Sequence, residues 1–331
     1  MKSTRLLKIV AALLILALPL WLRNEYMLHI AISIGIYIML ALSLNTIVGY
    51  AGQFALGHAA FYGIGSYVTA LLLLNTDLSF WLVLPIAGLV TGLFGFILGS
   101  PVIRLRGDYL GIVTLGFGEI IRLIFVNWVD VTRGPMGLPG IRSPELFGYT
   151  FTSSADFYYL VLVLVAITVL VIYRVVHSGM GLSLLTVRED EVVAESIGIR
   201  PTKYKLIAFT MGALFAGVAG AFYATYISFI SPDSFLYTDS VMILAMVVLG
   251  GMASVTGSIL GAIVLVVTPE LLRFASDYRM MLVGLAIVLM MVFKPQGFWG
   301  ESRRKRNFYG KELADKPQKS AAAVSDSNSA T

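Results

Sequence analysis

Two opposite charges three residues apart lie within the apolar run 109–129. They are Glu119 and Arg122. Residues at i and i+3 of a helix are neighbours on one face, so the carboxylate and the guanidinium can pair. A lone charge at the centre of a membrane helix costs about 2.5–3.5 kcal/mol on insertion scales, and such charges usually mark a pathway or a proton relay. The spacing therefore predicts either an intramembrane pair that binds an ion or a substrate, or a structural ion pair between helices.

A second polar cluster interrupts the apolar pattern between residues 45 and 58. It contains Asn45, Gln53 and His58, and three glycines lie among them. Backbone that departs from a helix at membrane depth is tolerated where it packs on protein or lines a water-filled cavity. The stretch therefore predicts a broken or re-entrant helix beside a translocation pathway. A plain cytoplasmic turn between two spans is the alternative.

The histidines and the lack of cysteine argue against a metal site. His58 stands on a helix of small residues, where a histidine more often packs and hydrogen-bonds than ligates, and His29 and His177 offer no ligand spacing with it. The chain has no cysteine, which excludes disulfides, Cys-ligated zinc and iron–sulfur clusters. We therefore expect no metal.

Catalytic and nucleotide-binding motifs are also absent from the sequence. Ser66 has only His58 near it, on the same predicted helix, which argues against a hydrolytic dyad. The phosphate-binding pattern GxxxxGK[ST] does not occur, because Gly310 and Lys311 are followed by Glu312. We expect no catalytic residue and no cofactor on this chain.

Composition then fixes the class of the elements that must position these side chains. Hydrophobic residues make up 58% of the chain and charged residues 13%, with a mean hydropathy of +0.85, which is typical of an all-α polytopic membrane protein. At about 20 residues per span, we expect about ten transmembrane helices, some short or broken. They lie near 1–22, 27–48, 54–74, 79–101, 109–129, 156–176, 204–226, 239–251, 256–272 and 279–293.

Lysine and arginine set the orientation of these spans. Placing the N-terminus in the cytoplasm puts most basic residues on the inner side, including those of the segment 177–205 and of the C-terminal region. This bias explains the formal net charge of +5 without nucleic acid. We therefore expect cytoplasmic termini, a transmembrane domain over 1–300 and a polar, disordered tail over 301–331.

The segment 177–205 is the longest polar interruption in the second half of the chain. Its residues Glu189 to Ile197 predict a helix of about two turns, ended by Gly198 in a left-handed C′ position and by Pro201 three residues later. Val193, Ala194 and Ile197 form one apolar edge, whereas Arg188 and Glu195 are charged. Such a short helix needs a surface to pack on. The alternative is an ordinary cytoplasmic loop with a charged face.

Four stretches in order resemble the LivM-type branched-chain amino acid permease family of ABC importers. They are GYAGQFALGHAAFYGIGSY at 49–67, RGDYLGIVTLGFGEIIRL at 106–123, TRGPMGLPGI at 132–141 and REDEVVAESIGI at 188–199. In that family the last stretch is a coupling loop that docks on a cytoplasmic ATPase subunit. The resemblance implies that Glu191, Ala194 and Gly198 are coupling residues, with Arg188 and Glu195 in the same loop.

The resemblance also implies an assembly. It predicts two ABC ATPase subunits that bind the ATP, a homologous permease subunit, an extracytoplasmic solute-binding protein, and residence in the lipid bilayer of the bacterial cytoplasmic (inner) membrane. The expected substrates are leucine, isoleucine and valine, and the chain itself is expected not to be an enzyme. Two alternatives remain open, namely a urea or amide importer permease of similar sequence and an ion-coupled secondary carrier that uses Glu119 and Arg122.

Overall fold

A computed structural model describes residues 24–105, 107–146 and 148–271, together with Pro19 and Gly284. Over these residues the chain is mostly helical. The helices are α1 (Glu25–Asn45, continued by a π-helix at Thr46–Tyr50), α2 (His58–Asn75), α3 (Phe80–Val102), α4 (Asp108–Asn127), α5 (Val129–Thr132), α6 (Ser154–Val176), α7 (Gly179–Glu189), α8 (Glu191–Ser196), α9 (Pro201–Ile227), α10 (Tyr237–Gly250) and α11 (Val255–Leu271).

Six of the helical segments in the described part are long and apolar enough to cross a membrane. The all-α polytopic class is therefore confirmed. Every predicted span from 27–48 to 256–272 overlaps an observed helix. Apart from Pro19 and Gly284, the spans 1–22 and 279–293 lie outside the described residues, as do both termini and the tail 301–331. The six segments are Glu25–Tyr50, Phe80–Val102, Asp108–Asn127, Ser154–Val176, Pro201–Ile227 and Pro232–Gly250.

Local sequence signals explain where several helices begin. The Asn24 side chain accepts a hydrogen bond from the backbone N–H of Tyr26 and caps α1. At the start of α6, the Asp156 carboxylate accepts from the backbone N–H of Ser153 at 3.2 Å, and the Ser153 hydroxyl accepts from Ala155. Both side chains satisfy helix-end amides that would otherwise lack partners. Pro201 opens α9, where a missing N–H costs nothing.

Helix α9 is the centre of the bundle and packs on α1, α2 and α3. Four glycines of α3 spaced at i, i+4, i+7 and i+11 all face α9, namely Gly88, Gly92, Gly95 and Gly99. A methyl group built on Gly95 would lie 2.4 Å from the Ala213 Cβ atom. On the other side, a Cβ on Gly220 would lie 2.2 Å from the carbonyl oxygen of Tyr62 in α2. Small residues at these positions let the helix backbones approach this closely.

Helices α10 and α11 form a tight hairpin. Gly251 ends α10 with a φ of 116°, and a Cβ on Gly250 would lie 2.0 Å from the carbonyl oxygen of Gly257 in α11. The Tyr26 hydroxyl at the start of α1 donates a hydrogen bond to the Glu270 carboxylate near the end of α11. The end of α11 therefore lies beside the start of α1, whereas the hairpin turn 251–254 lies near the other end of α1.

Within the described residues, two pairs of short antiparallel strands lie outside the helices. Strand β1 (Leu138–Pro139) pairs antiparallel with β4 (Phe229–Ile230), with Leu138 opposite Ile230. Strands β2 (Glu145–Leu146) and β3 (Tyr149–Thr150) form a second antiparallel pair. The first pair joins the glycine- and proline-rich segment 132–141 to the segment that follows α9.

Candidate coupling and translocation site

Two helices, rather than one, build the segment 177–205. Helix α7 ends at Glu189, Asp190 is extended with φ −158° and ψ 117°, and α8 begins at Glu191. The Asp190 Oδ1 atom accepts hydrogen bonds from the backbone N–H groups of Val192 at 2.8 Å and Val193 at 3.2 Å. The predicted helix start at Glu189 was therefore wrong. Asp190 is the better N-cap, and its extended backbone interrupts the helix between α7 and α8.

The other end of α8 follows the prediction. Gly198 has a φ of +82°, its N–H donates to the Glu195 carbonyl oxygen at 3.0 Å, and the Ile199 N–H donates to the Ala194 carbonyl oxygen at 3.0 Å. This pair of bonds is the Schellman arrangement, which requires a left-handed residue at C′. The left-handed C′ position of Gly198 is confirmed.

The predicted apolar edge of α8 is split by the fold. Ala194 is completely buried, whereas Val193 and Ile197 are exposed, and so is Val192. The prediction that Val193, Ala194 and Ile197 form one edge was therefore wrong. Ala194 anchors the helix to the protein, and the larger apolar side chains form an outward patch, here called the α8 patch (Val192, Val193 and Ile197).

An ion pair ties α8 to the first turns of α9. The Lys205 ammonium donates a hydrogen bond to the Glu191 carboxylate, and the Lys205 side chain is only 3% exposed. A buried ammonium is costly unless a carboxylate pairs with it. Sequence reasoning missed Lys205, although a lysine near the start of an apolar span is a signal that a counter-charge must lie close by.

Arg188, the penultimate residue of α7, reaches the π-helix that continues α1. Its guanidinium donates a hydrogen bond to the carbonyl oxygen of Gly49. A Cβ atom on Gly52, whose φ is +68°, would lie 2.9 Å from the Cγ atom of Arg188. A π-helix leaves some backbone carbonyls poorly used by the helix itself. The coupling-loop candidate Arg188 thus contacts the broken-helix candidate directly.

Asn45 continues this connection to the α10–α11 hairpin. Its Oδ1 atom accepts from the backbone N–H of Ala253 at 2.9 Å, and its Nδ2 atom donates to the carbonyl oxygen of Ser254 at 3.2 Å. A Cβ on Gly49 would lie 1.8 Å from that Oδ1 atom, so only glycine leaves room for the bond. We call the series Arg188, Gly49, Asn45, Ala253 and Ser254 the relay.

The π-helix confirms that the backbone is irregular between residues 45 and 58. The chain is non-helical from 51 to 57, and α2 begins only at His58, four residues after the predicted start. Gln53 is 4% exposed, and its Oε1 atom has no hydrogen-bond partner within the described ranges. An orphaned buried acceptor is unusual and is typical of functional or water-binding positions.

His58 is packed against α1. Its Nε2 atom lies 2.7 Å from the Ser43 hydroxyl, and that hydroxyl donates its own proton to the Leu40 carbonyl oxygen at 2.8 Å. With the Ser43 proton directed to Leu40, the neutral imidazole donates through Nε2 and Nδ1 is left as an acceptor. Nδ1 is buried and has no partner in the part of the chain that the structure describes.

Glu119 and Arg122 pair as predicted, with 3.0 Å between Oε2 and Nε. The pair lies apart from the relay, on the face of α4 that also carries the exposed Ile112, Ile120 and Leu123. The two side chains are 38% and 27% exposed, so the pair is not buried between helices of this chain. Within 24–105, 107–146 and 148–271, no group of three His, Asp or Glu side chains could hold a metal ion.

Comparison with known proteins shows which family the chain belongs to. The family described as "Branched-chain amino acid transport system / permease component" matches residues 26–291. The chain belongs to the LivM-type branched-chain amino acid permease family. The high-affinity branched-chain amino acid transport system permease protein LivM of Salmonella typhimurium is 45% identical over 81% of this chain and 68% of its own length.

Other relatives agree with this assignment. LivM of Escherichia coli K12 is 44% identical over 86% of this chain and 73% of its own length. The probable LivM permease of Methanocaldococcus jannaschii is 25% identical over 80% of this chain and 90% of its own length. No solved structure matches the chain. The LivM-type family consists of membrane-embedded components of transport systems, and such permeases are not themselves enzymes.

Proposed function

We propose that this LivM-type permease is a subunit of an ATP-driven importer that moves leucine, isoleucine and valine across the bacterial inner membrane. ATP is bound and hydrolysed by two separate ABC ATPase subunits. A homologous permease subunit completes the pathway, and an extracytoplasmic binding protein delivers the substrate. Family membership supports the substrate class, since the relatives named LivM are branched-chain amino acid permeases.

The observation that carries this proposal is the geometry of α8. A six-residue helix is too short to be stable alone, and it is held by the buried Ala194, the Asp190 cap and the Gly198 C-cap. These anchors leave the α8 patch pointing outward. Apolar helix faces that insert into a partner's groove are a common recognition mode, and here the partner is the ATPase.

The coupling residues then have distinct roles. Glu191 fixes α8 to Lys205 of α9, and Glu195 stands exposed beside the α8 patch, where it can pair with a basic group of the ATPase. Arg188 passes a displacement of α8 to the π-helix, and Asn45 passes it to the α10–α11 hairpin. An effector shifts a conformational equilibrium only through contacts that differ between states, and the relay supplies such contacts.

The translocation pathway follows the exposed face of α4. Glu119 and Arg122 lie on that face, which we place against the homologous permease subunit. Polar groups inside a membrane face a bundle interior or a water-filled cavity, and a pathway between two permeases meets that need. The other pathway candidates, Asn45 and the buried acceptors of Gln53 and His58, belong to the broken segment 45–58.

The remaining topology follows the charge distribution of the sequence. We place both termini and the segment 177–205 in the cytoplasm, in a bundle of about ten transmembrane helices. The tail 301–331 extends into the cytoplasm, with its basic cluster on anionic lipid headgroups.

The experiment that tests the proposal is affinity purification of the tagged chain from native membranes. The wild type is compared with Gly198→Trp, which destroys the left-handed C-cap, and with Val193→Glu, which charges the α8 patch. Met136→Glu is the matched control, because it charges an exposed apolar residue far from the segment 177–205. Co-purifying proteins are identified by mass spectrometry at equal amounts of chain.

We expect an ATPase with the GxxxxGK[ST] pattern to co-purify with the wild type and with Met136→Glu, and to be depleted with the two α8 variants. Uptake of labelled leucine, isoleucine and valine into vesicles loaded with ATP then establishes the substrates, with labelled urea as the comparison. Failure of the wild type to recover any ATPase, under conditions that preserve other membrane complexes, would overturn the importer assignment.

A further inference from the structure

A cavity of about 340 Å³ lies inside this single chain, between α1, α2, α9 and the start of α10. It opens beside the segment 228–236, which contains the β4 strand. None of the five pathway candidates, Asn45, Gln53, His58, Glu119 and Arg122, lines it. The cavity is therefore separate from the relay and from the exposed face of α4. Its volume suits a small organic molecule and exceeds what a bare ion needs.

Aromatic rings form much of the wall. Tyr62 and Tyr223 lie with ring centroids 5.2 Å apart, and both face the same space as Tyr37. Tyr226 stacks on His29 with ring centroids 5.7 Å apart. The Tyr226 hydroxyl and the His29 Nδ1 atom share a hydrogen bond at 2.7 Å. Four tyrosines around one cavity present several ring faces, whose negative electrostatic potential attracts cations.

The carboxylates of two aspartates line the cavity, together with the imidazole of His29. Asp239 is half-buried in the first turn of α10, and Asp233 is exposed at the mouth. Asp239 lines the same cavity as Tyr37, Tyr62 and Tyr223. The described lining contains no lysine or arginine. A ligand that enters this field gains from positive charge and loses from negative charge.

The helix start explains only part of the role of Asp239. Its Oδ2 atom accepts a hydrogen bond from the backbone N–H of Leu236 at 2.9 Å, which caps α10. A carboxylate has about four acceptor positions over two oxygens, so one cap bond leaves acceptor capacity for a further donor. Aliphatic side chains of Ile36, Leu40 and Ile243 also line the cavity.

We propose that this cavity binds a small organic ammonium ion. The ammonium group lies between the Asp239 carboxylate and the ring faces of Tyr37, Tyr62 and Tyr223, and a short aliphatic chain contacts Ile36, Leu40 and Ile243. A metal ion fits less well, because the described residues offer no cluster of three ligating side chains. A free amino acid also fits less well, because its carboxylate meets two aspartates and no lysine or arginine.

The test is a calorimetric titration of the purified full chain in lipid nanodiscs, with empty nanodiscs as the blank for partitioning. The probe is 3-methylbutylammonium. Its matched controls are 3-methylbutanoate, which has the same carbon skeleton and the opposite charge, and leucine, which carries both charges. The protein variants are Asp239→Asn, which keeps a capping oxygen, and Asp130→Asn, which removes an exposed carboxylate outside the cavity.

We expect saturable binding of the ammonium probe to the wild type and to Asp130→Asn. Asp239→Asn should weaken it at least about tenfold, as expected for loss of a charge-assisted contact. Neither 3-methylbutanoate nor leucine should bind as tightly. Absence of ammonium binding, equal binding of 3-methylbutanoate or leucine, or an unchanged affinity in a stably folded Asp239→Asn variant would each overturn the proposal.

A second variant keeps the test decisive if Asp239→Asn lowers the melting temperature. Tyr37→Leu removes one ring face and leaves the cap of α10 in place. Loss of one cation–π contact should weaken the ammonium probe about threefold to tenfold. An unchanged affinity in this variant counts against the proposal. The cavity lies outside the coupling segment, so this result and the ATPase co-purification are independent of each other.

Discussion

The guanidinium of Arg188 binds the carbonyl oxygen of Gly49, a residue 139 positions earlier in the chain. This bond joins the end of α7 to the π-helix of α1. The same glycine makes room for the Asn45 side chain, which holds the turn between α10 and α11. One backbone position therefore connects the segment next to the α8 patch with a hairpin inside the bundle.

Replacing Arg188 should separate ATP hydrolysis from transport. We expect Arg188→Ala to retain the ATPase subunits on affinity purification, because the α8 patch is intact, and to lose about tenfold or more of ATP-driven leucine uptake, since a hydrogen bond to a charged group is worth about 1.5–3 kcal/mol. Arg200→Ala is the control, because Arg200 is an exposed basic residue of the same segment. Uptake and ATPase activity are measured in the same proteoliposomes. Equal uptake by both variants would contradict the relay.

Adding one methyl group to Gly49 should break the Asn45 contact. The new Cβ would lie 1.8 Å from Asn45 Oδ1 and 2.6 Å from the Ala253 nitrogen. We expect Gly49→Ala to lower stability by about 1–3 kcal/mol, the range for overpacking a filled site. Gly116→Ala is the control, since a Cβ there meets nothing within 4 Å. Thermal unfolding in detergent, followed by intrinsic fluorescence, should show a lower midpoint only for Gly49→Ala.

The pair of Glu191 and Lys205 should respond asymmetrically to substitution. Glu191→Gln leaves the ammonium of Lys205 buried without its full counter-charge, whereas Lys205→Met leaves a carboxylate that water can reach. Removing one partner of a buried pair costs about 3–5 kcal/mol, and partial exposure of Glu191 reduces this to about 1–3 kcal/mol. We expect the larger loss of unfolding midpoint for Glu191→Gln. A larger loss for Lys205→Met would show that the ammonium is better solvated than its burial indicates.

The exposed face of α4 should be reached by water if it lines a pathway. The chain has no cysteine, so a thiol reagent can label only the single cysteine that is introduced. We expect Ile120→Cys in the assembled transporter to react with a small water-soluble maleimide, and Ile167→Cys, on an exposed position of α6, to stay unmodified because lipid suppresses thiolate formation. The extent of labelling is read from intact mass. Equal labelling of both positions would remove the reason for placing the pathway at α4.

Neutralising Glu119 separates an importer from an ion-coupled carrier. In vesicles loaded with ATP and without an ion gradient, we expect Glu119→Gln to retain most of its leucine uptake, because the Glu119–Arg122 pair is half-exposed and water can solvate the remaining charge. Arg122→Gln is the companion variant. A carrier would instead show gradient-driven uptake in the wild type that disappears in Glu119→Gln.

Hydropathy and local signals predicted much of the fold. Apolar runs located the eight long helices of the described part, α1 to α4, α6 and α9 to α11, because burial in lipid requires such runs, whereas the short helices α5 and α7 were not predicted. Gly198 was placed correctly because glycine at C′ and Pro201 beyond it are local requirements. Asp190 was available to the same reasoning as an N-cap, and the choice of Glu189 as the start overlooked the preference of short side chains for that position.

The contacts of the site were beyond sequence reasoning for a physical reason. Arg188 and Gly49, or Asn45 and Ser254, are joined by packing of helices that are distant in sequence, and no periodicity encodes such a pair. The Lys205–Glu191 pair needs α8 to fold back on α9. The α8 patch was mis-grouped because helical spacing alone does not say which of three adjacent apolar side chains is turned inward.

The bend at Asp190 allows α7 to act as a lever within the segment 177–205. Helix α7 has eleven residues and is therefore about 16 Å long. If the far end near Ser178 is the pivot, a rotation of about 10° moves the Arg188 end by about 3 Å, which exceeds the range over which a hydrogen bond survives. Under the coupling role proposed above, a displacement of α8 by this amount would break the Gly49 contact and free the π-helix of α1 from α7.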